Sequence, residues 1–536
     1  MKLYKYPLLF IVLLFTFVVF FHSDGAILQD LGRHLTLGKI IWQTREIPGT
    51  NLFSYTYPEF PVIDHHWGSQ VLFYLVEAAF SINGLIILKV CLVMAAVSFI
   101  SFFSVRRADG LAYLISGFLA VEILRDRTQI RPEIFAFLFF AIFLVILYRE
   151  KEKPGNWIWL LPFAEILWIN LHISFVYGLA VFGCFALDRI FKAKFRKQYL
   201  YIGLALAVSV LINPYGVNGA LYPFRIFQNY GYSIVENQSV VFLSSMIKNN
   251  ALFYFKISTI IFLGVLPLLI FGKKYFELLT AGFLLILSWL AVRHFPFFAI
   301  SLIYPASLGI SYLLEKIKEK KIIPEENFQL VQIFSVLVMV IFILWEIYLT
   351  VSNKYYYVYS APVRFGLGQV SGEKGALDYF LANNLKGPIY NSFDNGSYLI
   401  YRLYPGERVF VDGRPEAYPA DFFQKTYIPM QEKEEVWQEI DRKYKFQTII
   451  FPHTDATPWA KEFIKRIIKD GNWKVEYLDD YSLVLSRRPQ TEKDSGSQNL
   501  AEIKKQGQEL MQKINQQDGL NRLGNFFNLI GLTIKS

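Results

Sequence analysis

Residues 84–105, GLIILKVCLVMAAVSFISFFSV, decide the class of fold. Lys89 is the only charged residue in this run, and about 20 apolar residues in a helix span the hydrocarbon core of a bilayer. The sequence therefore predicts a polytopic α-helical membrane protein with about eleven transmembrane helices. The other ten predicted spans are 7–22, 108–124, 133–148, 157–170, 172–189, 198–213, 251–271, 276–292, 294–315 and 328–352.

The composition agrees with this class. Of 536 residues, 54% are hydrophobic and 17% aromatic, which leaves room for a soluble domain beside the spans. The net charge is +10, but the basic residues lie in short loops between apolar stretches, so we expect no nucleic-acid partner. Lys2 and Lys5 precede the first apolar run, which has no small-residue cleavage site, and we interpret it as a retained span. Cys91 and Cys184 lie in apolar stretches, so we expect both to pack in the core.

The distribution of Lys and Arg predicts the orientation. Short loops that face the cytoplasm are rich in basic residues, whereas the longer loops on the opposite side hold few. With an odd number of spans, everything after residue 352 lies outside. We therefore expect a multi-pass protein of the cytoplasmic membrane. The predicted cytoplasmic basic residues include Lys5, Arg106, Arg107, Arg149, Lys151, Lys153, Arg189, Lys192, Lys194, Arg196, Lys197, Lys273, Lys274, Lys316, Lys318, Lys320 and Lys321.

The pattern changes after the last predicted span. Short apolar runs such as 387–391 and 447–452 end in Asn or Pro, as buried strands do, and helical stretches separate them. The sequence thus predicts three regions: a transmembrane domain over 1–352, an extracytoplasmic α/β domain over 353–490 and a polar, partly helical tail over 491–536. Within the tail, residues 519–534 form an amphipathic segment that we expect to dock on the membrane surface or on another chain.

All seven histidines fall on the predicted outer side, together with many other polar residues. Polar groups at membrane depth are costly and usually line a cavity. The distribution indicates an active site that opens outward. Its candidate lining comprises Asp24, Asp30, His34, Asp64, His65, His66, Arg131, Glu133, Asn170, His172, Asn213, Glu236, Arg293 and His294.

The first outer loop, 23–67, is the richest in such residues. Its apolar residues follow a helical stripe, and Asp30 and His34 stand at i and i+4, so they share one helix face. This face either looks into a cavity or is a solvated face with a local ion pair. The loop ends in Asp64-His65-His66, whose side chains suit a transition metal, although Asp64 could instead cap the following helix.

Three later segments carry the remaining candidates. Arg131 and Glu133 flank Pro132, Asn170 and His172 interrupt two apolar stretches, and Arg293-His294 form a tight outer turn. Arginine suits phosphate recognition, but arginines at a membrane interface also contact lipid headgroups.

Together these segments resemble glycosyltransferases of the GT-C class. The likeness is nearest to bacterial relatives of the protein O-mannosyltransferases and of the lipid A aminoarabinose transferase. The segment DLGRHLTLGKIIWQTREIP (30–48) resembles the class's acidic first outer loop, although Leu31 replaces the second acid of the usual Asp-Glu pair. The segments DHHW (64–67), QIRPE (129–133), WINLH (168–172), NPYG (213–216), VRHFP (292–296) and NGSYLIYRLYPGERVFVDGRPEAY (395–418) resemble a bacterial branch of the class.

The resemblance implies transfer of a sugar from a polyprenyl-phosphate donor in the membrane lipid to an extracytoplasmic acceptor. Asp30 would be the catalytic base with Asp24 in reserve and His34 beside it, while Arg131, Arg293 and His294 would bind the donor phosphate. No nucleotide cofactor is expected, and a requirement for a divalent cation stays open. A transporter and a non-catalytic scaffold are the alternatives. A transporter would also place ionisable residues in a cavity, but it would be expected to show broken helices near the bilayer midplane and often paired repeats. A scaffold would not explain why the first outer loop is so long and polar. For the enzyme, we expect one outward-facing cavity to collect Asp30, His34, His66, Arg131, His172, Arg293 and His294.

Overall fold

A computed structural model describes residues 5–25, 27, 29–225, 228–322, 324–359, 361–489, 491, 496–514 and 517–532. Lys2 and parts of the predicted tail, including 533–534, lie outside these ranges. Among the residues described up to position 351, there are fourteen α-helices. They are α1 (Lys5–Phe20), α2 (Leu31–Thr44), α3 (Trp67–Val105), α4 (Gly110–Leu124), α5 (Glu133–Glu152), α6 (Leu160–Leu171), α7 (Val176–Phe191), α8 (Lys197–Ser209), α9 (Val217–Leu221), α10 (Val240–Met246), α11 (Asn250–Phe271), α12 (Tyr275–Leu290), α13 (Phe295–Glu319) and α14 (Glu325–Val351).

Every predicted span coincides with one of these helices. Within the described residues, five stretches are long and apolar enough to cross a membrane: 67–105, 173–191, 250–271, 292–319 and 325–351. The helices α1 and α12 are apolar but shorter. The chain is thus a multi-pass helical membrane protein, and the count of eleven crossings stays a prediction.

The third helix differs from the predicted span. It begins at Trp67, well before residue 84, and breaks at Ser81, whose φ of 59° is not helical. The part before the break packs against α2. The two parts of α3 together therefore join the end of the first outer loop to the membrane.

The helix α13 lies at the centre of the membrane part and packs against α3, α4, α5, α11 and α12. Its residues from 295 to 307 are all buried, as expected of a helix that is apolar on every side. In α14, by contrast, large apolar side chains such as Phe334 and Trp345 are exposed. Such exposure suits a helix that faces lipid.

The C-terminal part is an α/β domain, as the sequence predicts. Its four strands are β1 (Ile389–Asn391), β2 (Thr448–Pro452), β3 (Trp473–Leu478) and β4 (Ser482–Arg487). They form one sheet in the order β1-β2-β4-β3, in which β1 and β2 are parallel and the other pairs antiparallel. The helices of this part are α15 (Lys354–Val358), α16 (Lys374–Ala382), α17 (Gly396–Leu403), α18 (Ile428–Glu432), α19 (Glu434–Tyr444), α20 (Pro458–Ile467), α21 (Ser497–Lys513) and α22 (Gln517–Ile530).

The first outer loop is built into this C-terminal domain. Backbone bridges join His22 to Phe365, Asp24 to Gln369 and Ser54 to Val409. Hydrophobic side chains of the loop, Phe53 among them, are buried. The α/β domain is therefore held directly above the helices that surround α2.

The tail helix α22 packs on the C-terminal domain. Its apolar face buries Leu523, Phe526 and Phe527, and the Phe526 ring centroid lies 4.6 Å from that of His453. Arg522 pairs with Asp480. The amphipathic pattern thus reflects docking on the protein's own domain, and neither a membrane surface nor another chain is needed to explain it.

Candidate functional site

A cavity of about 840 Å³ lies between the membrane helices and the C-terminal domain. Its size is within the range of pockets that hold small ligands. Both parts of the chain contribute charged and aromatic side chains. Nine of the predicted site residues are in its lining, namely Asp30, His34, His65, His66, Arg131, Glu133, His172, Glu236 and Arg293.

Asp30 lies immediately before α2, at the position where a side chain could cap the helix, but it makes no capping hydrogen bond. Its carboxylate pairs instead with two arginines: Oδ1 lies 3.6 Å from Arg33 Nη2, and Oδ2 lies 3.6 Å from Arg131 Nη2. The side chain is 27% exposed. The acid is therefore accessible from the cavity and placed beside a cation that a ligand could share.

Three arginines of the lining, Arg127, Arg131 and Arg293, form the arginine cluster. Arg127 Nη1 lies 2.6 Å from Glu236 Oε1, and Arg131 pairs with the same carboxylate. Burial opposes ionisation of Glu236, but these two arginines outweigh it and hold its pKa below the ordinary value. Arg293 donates to Asn237 Oδ1 at 2.8 Å. One short loop, 235–237, thus orients all three guanidinium groups.

Four imidazoles, His34, His65, His66 and His172, form a histidine cluster. The ring centroid of His66 lies 4.1 Å from that of His65, 5.0 Å from that of His172 and 5.7 Å from that of His34. Burial lowers the pKa of His65 to about 3 and that of His34 well below its ordinary value, with Arg33 adding to both effects. These imidazoles are therefore neutral near pH 7, and each can donate one N–H.

The hydrogen bonds fix the tautomer of His34. Gln70 Nε2 donates both to His34 Nδ1, at 3.1 Å, and to Asp64 Oδ1, at 2.9 Å. With Nδ1 as an acceptor, the single proton of the neutral ring is on Nε2. Asp64 therefore orients the histidine cluster through Gln70, which is a supporting role that the sequence pattern did not reveal.

No metal site is found at Asp64-His65-His66. Asp64 Oδ1 accepts from Gln70 Nε2 and from the backbone N–H of His66, which is the helix-capping alternative that the sequence offered. Among the described residues there is no group of three or more His, Cys, Asp or Glu side chains that could hold a metal ion.

Five predicted site residues lie outside the cavity lining. Asp24 is buried, accepts a hydrogen bond from the backbone N–H of Ile27 at 3.1 Å and belongs to the bridge to Gln369, so it does not reach the cavity. Asp64 lies behind the histidine cluster.

The other three residues support local structure. Asn170 accepts from Trp67 Nε1 at 3.0 Å and donates to two backbone carbonyls. Asn213 closes the turn after α8 by donating to the carbonyls of Val210 and Gly216. His294 is buried against the Tyr177 hydroxyl. Polar side chains at a break between helices often satisfy the backbone there, and a sequence alone does not separate this use from cavity lining.

The sequence did not predict the part of the lining that comes from the C-terminal domain. This part includes Glu373, Phe393, Asp394, Glu416, Asp455 and Trp459. Asp394 and Asp455 follow β1 and β2, and parallel neighbours end at the same edge of a sheet, where α/β folds bind ligands. An acidic residue shortly after each of two predicted strands was the signal that could have identified them.

The C-terminal domain also fixes the position of Asp30. The backbone N–H of Arg33 donates to Ser397 Oγ at 2.9 Å, so the first turn of α2 is capped by a residue of α17. Gly413, in the turn after Val411, lies so close that a Cβ there would be 3.4 Å from Asp30 Oδ1. The motif 395–418 thus contacts the segment that carries the acid.

A buried ion pair anchors this motif to the first outer loop. Arg414 Nε and Nη2 each donate to a different oxygen of Asp412 at 2.7 Å, and Nη2 also donates to Asn51 Oδ1 at 2.7 Å. Asn51 in turn donates to the carbonyl of Ala417 at 3.0 Å. A bidentate pair of this kind fixes geometry as well as contributing energy.

Comparison with solved structures identifies the fold. The chain is similar to the archaeal oligosaccharyltransferase AglB of Archaeoglobus fulgidus in complex with an inhibitory peptide and a dolichol-phosphate, with a TM-score of 0.60, 12% identity, and coverage of 88% of this chain and 73% of that one. A second structure of that enzyme, tethered to an acceptor peptide containing an NVT sequon, gives a TM-score of 0.56 at 12% identity, covering 91% of this chain and 74% of that one.

No protein-family model matches the chain, and no curated protein matches its sequence. At 12% identity, the structural likeness is evidence about the fold alone. The chain therefore shares the architecture of an archaeal oligosaccharyltransferase, in which membrane helices carry a soluble C-terminal domain.

Proposed function

We propose that this protein is a membrane glycosyltransferase that moves a sugar from a polyprenyl-phosphate-linked donor to an acceptor outside the cytoplasm. The observation that carries the proposal is the position of Asp30: an accessible carboxylate beside Arg131, in a cavity between the membrane helices and the α/β domain. The shared fold adds support, because the solved neighbour was observed with a dolichol-phosphate.

In this proposal the donor phosphate binds at the arginine cluster. Its lipid chain lies along the apolar part of the lining, which includes Ile247, Leu252 and Phe295. A lipid-linked donor enters from the bilayer, so no nucleotide cofactor is needed. Fixed guanidinium and imidazole N–H groups in a site of limited water access stabilise the charge that develops on the leaving phosphate.

Asp30 acts as the base in the proposed reaction. It takes the proton of the acceptor hydroxyl as the acceptor oxygen bonds to the anomeric carbon, while the bond from that carbon to the phosphate oxygen breaks and the lipid phosphate leaves. Before the donor binds, Arg33 and Arg131 both pair with Asp30. A bound phosphate competes for Arg131, so donor binding would free Asp30 for the acceptor.

Substitution of Asp30 tests the proposal. We expect Asp30→Asn to lower the transfer rate by about 10²-fold or more, because it keeps the size of the side chain but removes the proton acceptor. The measurement is transfer of labelled sugar from the polyprenyl-phosphate pool in membranes of the expressing strain, with and without a chelator to test for a divalent cation.

Asp421→Asn is the matched control, because Asp421 is an exposed acid that pairs with Lys425 on the C-terminal domain. It should leave the rate unchanged. Full activity in the Asp30→Asn protein, with loss only in Asp24→Asn, would disprove the assignment of the base. A transporter would instead move the labelled lipid or sugar without forming a new glycosidic bond.

A further inference from the structure

The acidic face of the cavity comprises Glu373, Asp394 and Asp455 of the C-terminal domain. Asp394 and Asp455 lie beyond the carboxyl ends of the parallel strands β1 and β2, and Glu373 immediately precedes α16. All three side chains are in the cavity lining. They come from the C-terminal domain, whereas the arginines of the arginine cluster come from the membrane helices and their loops.

Glu373 lines this cavity and has a buried side-chain oxygen without a hydrogen-bond partner. The residue is only 6% exposed, and its Oε2 has no hydrogen-bond partner. Burial raises the pKa of Glu373 well above its ordinary value, and the nearby charges that add to this effect are the acids Asp479, Asp394 and Asp455. Leaving a buried acceptor unpaired costs free energy, so the position favours a ligand that donates hydrogen bonds.

Within the described residues, neither Glu373 nor Asp394 forms an ion pair with a lysine, arginine or histidine. Asp455 is satisfied differently, since its Oδ1 accepts from the backbone N–H and the hydroxyl of Thr457 at 2.9 and 2.8 Å. No basic side chain among the described residues therefore offsets the charge that Glu373 and Asp394 acquire when they ionise.

Aromatic rings border the acidic face. Phe393 stacks on Tyr232 with ring centroids 4.3 Å apart, and Trp459 lies 6.1 Å from Tyr232. The buried indole N–H of Trp459 makes no hydrogen bond. Aromatic faces attract ammonium groups, and flat rings give a packing surface for a sugar ring.

We propose that the acidic face is the acceptor site and that the acceptor carries a protonated amino group, as an amino-sugar unit does. This inference rests on the proposed function, in which the acceptor is the molecule that receives the sugar. An ammonium group has three donors and a positive charge, which match the carboxylates and the unpaired oxygen of Glu373. A sugar hydroxyl would match the hydrogen bonds but not the charge. A divalent cation fits less well, because the described residues hold no group of three or more side chains arranged to bind a metal.

Binding of two matched probes to the full chain in lipid nanodiscs tests this proposal. Methyl glucosaminide and methyl glucoside differ only by an ammonium group in place of a hydroxyl. We expect the amino probe to bind about tenfold more tightly or better, since hydrogen bonds to charged groups are the stronger ones. Glu373→Gln and Asp394→Asn should each reduce that preference. Glu439→Gln, on the exposed face of α19, removes the same charge elsewhere in the domain and should preserve it.

Equal binding of the two probes would overturn the proposal, as would a preference that survives both substitutions. Displacement of the amino probe by millimolar Mg²⁺, with Mg²⁺ binding lost in both variants, would also overturn it in favour of a metal site. The exposed position of Asp394 keeps the test valid if the Glu373 variant unfolds.

Probe binding needs no donor and no transfer, so an inactive protein that prefers the amino probe refutes the proposed function alone. An active protein without the preference refutes this inference alone.

Discussion

Asp30 shows how the ion pairs of one residue depend on groups from three segments. Arg33 on the same helix and Arg131 from the loop before α5 each lie 3.6 Å from its carboxylate, while Glu236 competes for Arg131 from a third segment. The energy of such a network is not a sum of pairwise energies, because each arginine can exchange one acidic partner for another or for a ligand phosphate. The residue is therefore poised to respond to donor binding.

Asp394 gives a pH dependence with a definite sign. Asp394 opens into the cavity, where desolvation by the surrounding protein first, and then the charges of Asp455 and Asp30, raise its pKa to about 7. A bound ammonium group favours the ionised carboxylate, so below pH 7 binding must also remove a proton. We expect the affinity for methyl glucosaminide to rise between pH 5 and pH 7, by up to about tenfold per pH unit for each proton released.

Titration calorimetry across that range measures this rise and the released protons. In the Asp394→Asn protein the affinity should rise less steeply with pH. The remaining pH dependence would come from Glu373, whose pKa is also raised. An identical slope in both proteins would contradict the role of Asp394.

At the scale of elements, α2 is the part that joins the two halves of the cavity. Two glycines allow its close packing: a Cβ on Gly38 would lie 2.0 Å from the carbonyl oxygen of Gln70 on α3, and a Cβ on Gly32 would lie 2.7 Å from that of Ser397 on α17. Neither backbone atom can move away independently. The helix is thus held from below by the membrane part and from above by the C-terminal domain.

Gly32→Ala tests this arrangement. The added methyl group must push α2 away from α17, and overpacking of this kind typically costs 1–3 kcal/mol. We expect a lower thermal unfolding temperature and a lower transfer rate, because the shift also displaces Asp30. Gly49→Ala, in the same loop, is the control, since a Cβ there meets nothing within 4 Å. Equal effects of the two substitutions would show that α2 is not held by this contact.

The elements differ in how far the sequence predicted them. The apolar stretches and the stripe of α2 are local patterns, so the helices and the shared face of Asp30 and His34 followed from spacing alone. The contact of Arg33 with Ser397 joins residues 364 positions apart and leaves no local trace. For the same reason Asp394 and Asp455 could be recognised only once β1 and β2 were known to be parallel neighbours.

At the scale of the whole molecule, the cavity belongs to neither the membrane part nor the α/β domain. The first contributes the basic side chains together with acids such as Asp30 and Glu236, whereas the described residues of the second contribute acids and no basic side chain to the lining. The two sets are complementary to the two partners of a transfer reaction: an anionic lipid phosphate from the bilayer and a cationic acceptor from the aqueous side. A non-catalytic scaffold would not require basic groups from one part and acidic groups from the other to line one cavity.

The proposed reaction depends on the orientation of the chain in the membrane, because the acceptor must reach the acidic face from outside. The loops at the opposite helix ends hold the basic residues, for example Arg107, which pairs with Glu152, and Lys192, which lies 2.9 Å from Asp188. The positive-inside rule puts those loops in the cytoplasm. We expect reporters fused at Lys194 and at Lys320 to report the cytoplasm and a reporter at Ser371 to report the outside. A cytoplasmic signal at Ser371 would reverse the orientation and place the cavity where an extracytoplasmic acceptor cannot enter.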